Sequence, residues 1–180
     1  MSNDDLQAFE GKVVEVRQGD RSSTEIEQLP VVIVLDRLRS AHNVGNIYRL
    51  AEICGIREII TCGYTATPPH PKLAKTARGC DELIATRHMP SAEAATRTLI
   101  DEGYHCWGVE TVPESPTIWK ADFQYPLALI LGNEALGISP EVLALCENCV
   151  HLPVYGTKNS LNVGNCAAVV LYEIIHRLRG

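Results

Sequence analysis

Leu127-Ala128-Leu129-Ile130-Leu131-Gly132-Asn133-Glu134 decides the fold. An aliphatic run with no polar interruption does not suit a strand with one wet face. It predicts a short strand covered on both faces, as in a parallel sheet flanked by helices. Gly132, Asn133 and Glu134 then fall at the carboxyl end of that strand, where open α/β sheets bind ligands. Outward from it, Val31-Val32-Ile33-Val34-Leu35 is a second such run. Ile59-Ile60-Thr61-Cys62, Leu83-Ile84-Ala85 and Tyr104 to Val109 predict further strands. Helices are expected from about Asn43 to Cys54, from Pro71 to Ala77, from the N-cap Ser91 to Gly103, and after Ser139-Pro140. The last helix is the clearest, because Val163, Cys166, Ala167, Val170, Leu171, Ile174, Ile175 and Leu178 keep the helical period without a break. Short strands alternating with helices make an α/β domain with a mostly parallel sheet.

Composition narrows the function classes. Hydrophobic residues are 46% and charged residues 21% of the 180-residue chain, ordinary values for one globular domain. No apolar run approaches the roughly 20 residues that span a bilayer, and the acidic start Met1-Ser2-Asn3-Asp4-Asp5 is unlike a signal peptide. The expected address is cytoplasmic, with no membrane partner. The seven cysteines sit in apolar segments, which reads as buried free thiols in a reducing compartment. Cys146 and Cys149 form one C-x-x-C, but no second pair or flanking histidine completes a zinc site, so no metal is expected.

A net charge of −6 argues against holding nucleic acid by bulk electrostatics. The charge is uneven, however. Arg37, Arg39, His42 and Arg49 cluster around one polar motif, and Lys72, Lys75 and Arg78 follow in a later segment. Such runs serve either as local phosphate sites or as solvated surface charge, and composition does not choose between them. Residues 1–30 are polar and weakly patterned, with Lys12-Val13-Val14-Glu15-Val16 as a short strand or part of a helix. They form an extension to the main domain at 31–180.

Three polar clusters end apolar runs: Asn43-Val44-Gly45-Asn46-Ile47-Tyr48-Arg49, Gly132-Asn133-Glu134-Ala135-Leu136-Gly137, and Leu152-Pro153-Val154-Tyr155-Gly156 with Ser160-Leu161-Asn162 behind it. A core needs none of these polar side chains. Asn43 reads as an N-cap, and Gly45 lies one turn before Arg49, so the guanidinium should lean back over a position with no side chain. Ser160 and Asn162 also suit plain helix caps. Neither a G-x-G-x-x-G after the first strand, nor a phosphate-binding G-x-x-x-x-G-K-[ST], nor a G-x-S-x-G elbow is present.

Taken in order, N-x-G-x-x-x-R, G-N-E-x-x-G and P-x-x-G-x-x-x-S-L-N before a terminal helix resemble the SpoU/TrmH family of RNA 2′-O-methyltransferases, over about residues 31–178. Lys75-Thr76-Ala77-Arg78-Gly79 resembles the family too. The resemblance implies a deep trefoil knot in the C-terminal part of the sheet, S-adenosyl-L-methionine as cofactor, RNA as substrate and a homodimer. It implies cofactor contacts at Gly132, Leu152 and Leu161, with Thr111 a further one. Asn43, Arg49, Glu134, Ser160 and Asn162 become the catalytic and RNA-positioning set. An arginine pKa above about 12 makes a poor base. Arg49 is therefore expected to hold the RNA phosphate and stabilise the forming alkoxide, with Glu134 and Asn43 orienting it and Ser160 and Asn162 positioning the ribose.

Ala135, Leu136 and the segment Asn162-Val163-Gly164-Asn165 depart from the commoner family residues. The resemblance does not extend to the separate N-terminal RNA-binding domain of many relatives, so recognition or dimer stabilisation is expected from residues 1–30 and the basic patches. Transfer RNA is the expected substrate over ribosomal RNA. A non-catalytic RNA-binding dimer of the same fold is the alternative.

Overall fold

The computed structural model describes residues 28–158 and 160–180. The sequence reading of the N-terminal extension therefore lies almost wholly outside the described residues.

The chain builds its sheet around β1 (Leu29–Asp36), seven of whose eight residues are buried. The other strands are β2 (Ile56–Cys62), β3 (Ala85–Met89), β4 (His105–Val109), β5 (Leu127–Leu131) and β6 (Asn148–Val150). The spatial order is β3-β2-β1-β5-β4-β6, and every neighbouring pair is parallel. The aliphatic runs at 31–35 and 127–131 lie side by side at the centre, paired from Val31–Leu127 to Leu35–Leu131. That place has no wet face, which is why neither run carries a polar residue.

Strand side chains alternate between faces, and the two faces of β1 enter different cores. Val31, Ile33 and Leu35 pack with α1 (Ala41–Cys54), α2 (Pro71–Ala77) and α6 (Val163–Arg179). Val32 and Val34 pack with Ala92, Ala95 and Leu99 of α4 (Ala92–Asp101) and Val142 of α5 (Pro140–Leu143). A four-residue helix, α3 (Cys80–Leu83), precedes β3. All seven cysteines are free thiols; Cys54, Cys62, Cys106 and Cys149 are buried. Burial pushes Cys54 and Cys106 up to about 11 and Cys62 up to about 12, so these thiols stay protonated and inert at neutral pH.

Two sequence expectations need correction, and one strand was missed. Helix α1 begins two residues before Asn43, and its N-cap is Ser40, whose Oγ accepts from Asn43 N at 3.3 Å. Leu83 belongs to α3, and the strand placed around it starts at Ala85. Strand β6 is not marked in the sequence, since three residues of Asn-Cys-Val are too short to show a period.

Candidate active site

Strands β1 and β5 are neighbours, but their following helices leave on opposite sides of the sheet. Helix α1 joins the core with Ile33 and Leu35, while α5 joins the one with Val32 and Val34. The loops after the two strands therefore diverge and open a crevice at the carboxyl edge, the topological switch point where α/β sheets bind ligands. Both loops carry polar clusters, residues 39–43 and 132–137.

Glu134 spans that crevice. Its carboxylate accepts from Arg39 N at 2.8 Å, Ser40 N at 3.2 Å and Asn43 Nδ2 at 3.0 Å. Partial burial works to raise the Glu134 pKa, but the hydrogen bonds from Arg39, Asn43 and Ser40 outweigh it and hold the carboxyl below its ordinary range. Asn43 Oδ1 in turn accepts from Asn162 Nδ2 at 3.2 Å. Asn162 caps α6, its Oδ1 accepting from Gly164 N at 2.9 Å and Asn165 N at 3.3 Å. One chain of hydrogen bonds, Glu134–Asn43–Asn162, thus joins all three clusters across sequence separations of 91 and 119 residues.

The model of the SpoU rRNA Methylase family matches residues 30–172. The chain belongs to this family. This SpoU chain is 28% identical over 151 residues to a 23S rRNA (guanosine-2′-O-)-methyltransferase of Vibrio parahaemolyticus, covering 83% of the chain and 60% of that protein. It is 27% identical over 146 residues to a tRNA (guanosine(18)-2′-O)-methyltransferase of Thermus thermophilus, covering 81% of the chain and 74% of that protein. The SpoU methyltransferase AviRb of Streptomyces viridochromogenes, solved in complex with AdoMet, superposes with a TM-score of 0.76 at 27% identity, covering 89% of this chain and 65% of that chain. The SpoU chain spans about 60% of the length of several curated relatives it matches.

Three of the four positions expected to touch cofactor share one edge of the SpoU domain. Val109 pairs with both Leu131 and Val150, so β5, β4 and β6 end level with one another. Gly132, Thr111 and Leu152 follow those strands within two residues, and Leu161 lies just before α6. Gly132 has a local reason to be glycine. A Cβ built there sits 2.5 Å from Ile138 N and 2.8 Å from Gly137 O. Its turn closes through Asn133 N to Gly137 O at 3.1 Å and Gly137 N to Asn133 O at 2.8 Å. The chain's own backbone is thus what requires glycine at this position.

Arg49 and Ser160 stand apart from the hydrogen-bonded chain among the described residues. Arg49 is exposed on α1, six residues and roughly 9 Å of helix beyond Asn43. It shares an exposed stripe with His42, Asn46 and Ile53. Glu134 and Asn43 spend their hydrogen bonds on the α1 N-terminus and Asn162, so the expectation that they orient Arg49 is not met. Ser160 is exposed, and the α6 cap is Asn162 alone. Gly45 does not clear space for Arg49 either. It is buried where α1 crosses α2.

Sequence reasoning missed two residues. Asn133 is buried; its Nδ2 donates to Arg37 O at 2.6 Å and Tyr64 Oη at 2.8 Å, while Oδ1 accepts from Ala135 N and Leu136 N. It fixes the turn that aims Glu134. Glu110 accepts from Ile138 N at 3.1 Å and from Thr111 N at 3.0 Å, tying the end of β4 to the same turn. The asparagine of G-N-E was the available signal for the first. Nothing in the sequence marked the second.

Proposed function

We propose that the chain transfers a methyl group from S-adenosyl-L-methionine to a ribose 2′-hydroxyl of structured RNA, with transfer RNA favoured over ribosomal RNA. The hydrogen-bonded chain Glu134–Asn43–Asn162 carries this reading, because it draws the three family motifs into one crevice. The carboxyl edge of β5, β4 and β6 suits an adenosine group: Leu136, in the turn after β5, is 76% exposed and offers apolar surface to a flat base, and Leu161 before α6 is 49% exposed. Backbone around Gly132, Leu152 and Leu161, with Thr111 beside them, would hold the cofactor. Bound there, it supplies a methyl carbon made electrophilic by a positive sulfonium. Asn162 and Ser160, at the start of α6, position the ribose. Arg49 anchors the adjoining phosphate and stabilises the alkoxide as the hydroxyl proton leaves to that phosphate.

The catalytic reading extends to the assembly. The exposed face of α6 carries Val169 and Tyr172, 43% and 55% exposed, around an apolar hollow of about 470 Å³ shared with Ala168. A second copy packed there would make the homodimer. The C-terminal trefoil knot and the cytoplasmic address belong to the same reading, and rest on membership of the family. Among the described residues no helix is long and apolar enough to cross a membrane.

The test pairs cofactor titration with methyl transfer. The unsubstituted protein should bind S-adenosyl-L-methionine saturably and transfer label to transfer RNA. Arg49→Ala should keep cofactor affinity and lose roughly 100- to 1,000-fold in transfer, the scale of removing one preorganised electrostatic contact. A protein that binds RNA, transfers nothing, and loses RNA binding on Arg49→Ala is the non-catalytic binding dimer instead.

A further inference from the structure

A second concave surface adjoins the crevice. It is a groove of about 800 Å³ running from the Arg39–His42 segment at the start of α1 to the loop after β2 and the first turns of α2. Arg39, Lys72 and Lys75 line it together with His42, His70 and His88, and among the described residues no carboxylate does. On a chain of net charge −6, a groove this size whose charged side chains among the described residues are all basic is a local reversal of sign. Exposed Lys72 and Lys75 lie three residues apart on α2, so their ammonium groups share one face.

Tyr64 projects at the same groove, 61% exposed. An aromatic ring this open is usually free to turn, but here its hydroxyl accepts from Asn133 Nδ2 at 2.8 Å. Its neighbour Thr65 is buried and pins the loop: Thr65 Oγ1 accepts from Leu38 N at 2.9 Å and donates to Leu35 O at 3.1 Å. The ring is thus held in place while its surface stays wet. Asn133, which holds it, also fixes the turn carrying Glu134. Aromatic platforms beside phosphate-binding cations are how proteins hold unpaired nucleotides, since every base has a face to stack and every linkage a charge.

We infer that this groove holds an unpaired nucleotide flanking the methylated one, its base stacked on Tyr64 and its phosphates on Lys72 and Lys75. The inference rests on the RNA-modifying reading above and narrows it: the target lies in a single-stranded loop or bulge rather than within a helix. Double-stranded RNA hides its base faces and gives Tyr64 nothing to stack on.

The test uses the full chain with a fluorescent mixed-sequence 12-nucleotide oligoribonucleotide, alone or annealed to its complement, across a series of salt concentrations. The unsubstituted protein should prefer the single strand. Tyr64→Ala should weaken single-strand binding about tenfold and leave the salt dependence unchanged. Tyr64→Phe, which keeps the ring and loses the anchoring hydroxyl, should retain most of the affinity. Lys72→Ala combined with Lys75→Ala should flatten the log–log salt slope by about 1.4, near 0.7 for each phosphate of a single strand that is no longer neutralised. S-adenosyl-L-methionine affinity, measured on the same preparations, should be unmoved in all three variants. If the unsubstituted protein binds the oligonucleotide but Tyr64→Ala and the double lysine variant match it, the groove is not the nucleotide site. If the unsubstituted protein binds neither the oligonucleotide nor transfer RNA, the RNA-modifying reading falls and this inference with it.

Discussion

Gly45→Ala is expected to destabilise the protein by about 3 kcal/mol or more, the upper end of overpacking costs. Helix propensity alone gives the opposite sign, since alanine replacing glycine inside a helix such as α1 gains up to ~1 kcal/mol. Packing decides the matter. A Cβ at position 45 sits 2.6 Å from the Leu73 carbonyl oxygen and 2.9 Å from Ala77 N, with Thr76 Oγ1 closer still. Two of those three atoms are backbone of α2 and cannot rotate aside. The helices would have to separate, and α1 carries Asn43 and Arg49 while α2 carries Lys72 and Lys75. Denaturant titration checks the sign: the midpoint should fall sharply for Gly45→Ala. Gly156→Ala is the control, because among the described residues nothing lies within 4 Å of a Cβ there. A midpoint that rises for Gly45→Ala would mean that α1 and α2 do not approach as described.

Glu134→Gln should lower methyl transfer by roughly a hundredfold, the cost of misplacing a reacting group by about 1 Å. The carboxylate receives three donors, Arg39 N, Ser40 N and Asn43 Nδ2, on its two oxygens. An amide keeps one oxygen and turns an N–H₂ group toward at least one of those donors. Either Arg39 N or the Ser40–Asn43 pair then faces a donor, which loosens the loop that holds Asn43 and its link to Asn162 at the start of α6. Stability should drop by only about 1–2 kcal/mol at neutral pH, because the site is exposed and charge-assisted bonds there compete with water. The difference has a pH signature. A carboxyl held below its ordinary range stabilises the fold fully above its unfolded pKa, and loses that contribution as pH falls through the depressed value. Stability is therefore best followed as a curve against pH for each protein. The unsubstituted protein and Glu134→Gln should be furthest apart near pH 7 and converge in acid below the usual carboxylate range. Curves that stay parallel throughout would show that the Glu134 charge is not what ties the loops together.

The sequence was most readable where burial is complete. The runs at 31–35 and 127–131 appear as the two central strands, and the helical period from Val163 to Leu178 as α6. Edges were less readable. β3 carries Arg87 and His88 and is nowhere fully buried, so the apolar run Leu83-Ile84-Ala85 placed it too early in the chain. It is held instead by Arg87, whose guanidinium bonds Glu58 on β2 at 2.6 Å and Glu102 after α4 at 2.7 Å. Residues this far apart in sequence leave no local pattern.

Asn43, Glu134 and Asn162 were picked out by residue type and motif order, and the fold brings them into one hydrogen-bonded chain. The partners came out differently from the sequence reading. Ser40 rather than Asn43 caps α1, which frees the Asn43 amide to bridge Glu134 and Asn162. Gly45 and Gly132 are glycines because other backbone passes within 3 Å of where their Cβ atoms would stand.

By itself, then, the sequence determined the α/β class, the central strands, the terminal helix and the family to which the chain belongs. Those properties follow from local period, local chemistry and the order of motifs along the chain. Tertiary structure alone decided that the loops after β1 and β5 diverge to opposite faces, that Glu134 closes the crevice between them, and that Tyr64 is anchored open beside Lys72 and Lys75. Each of these depends on contacts between residues tens of positions apart, and such contacts exist only once the sheet has set which strand ends lie together.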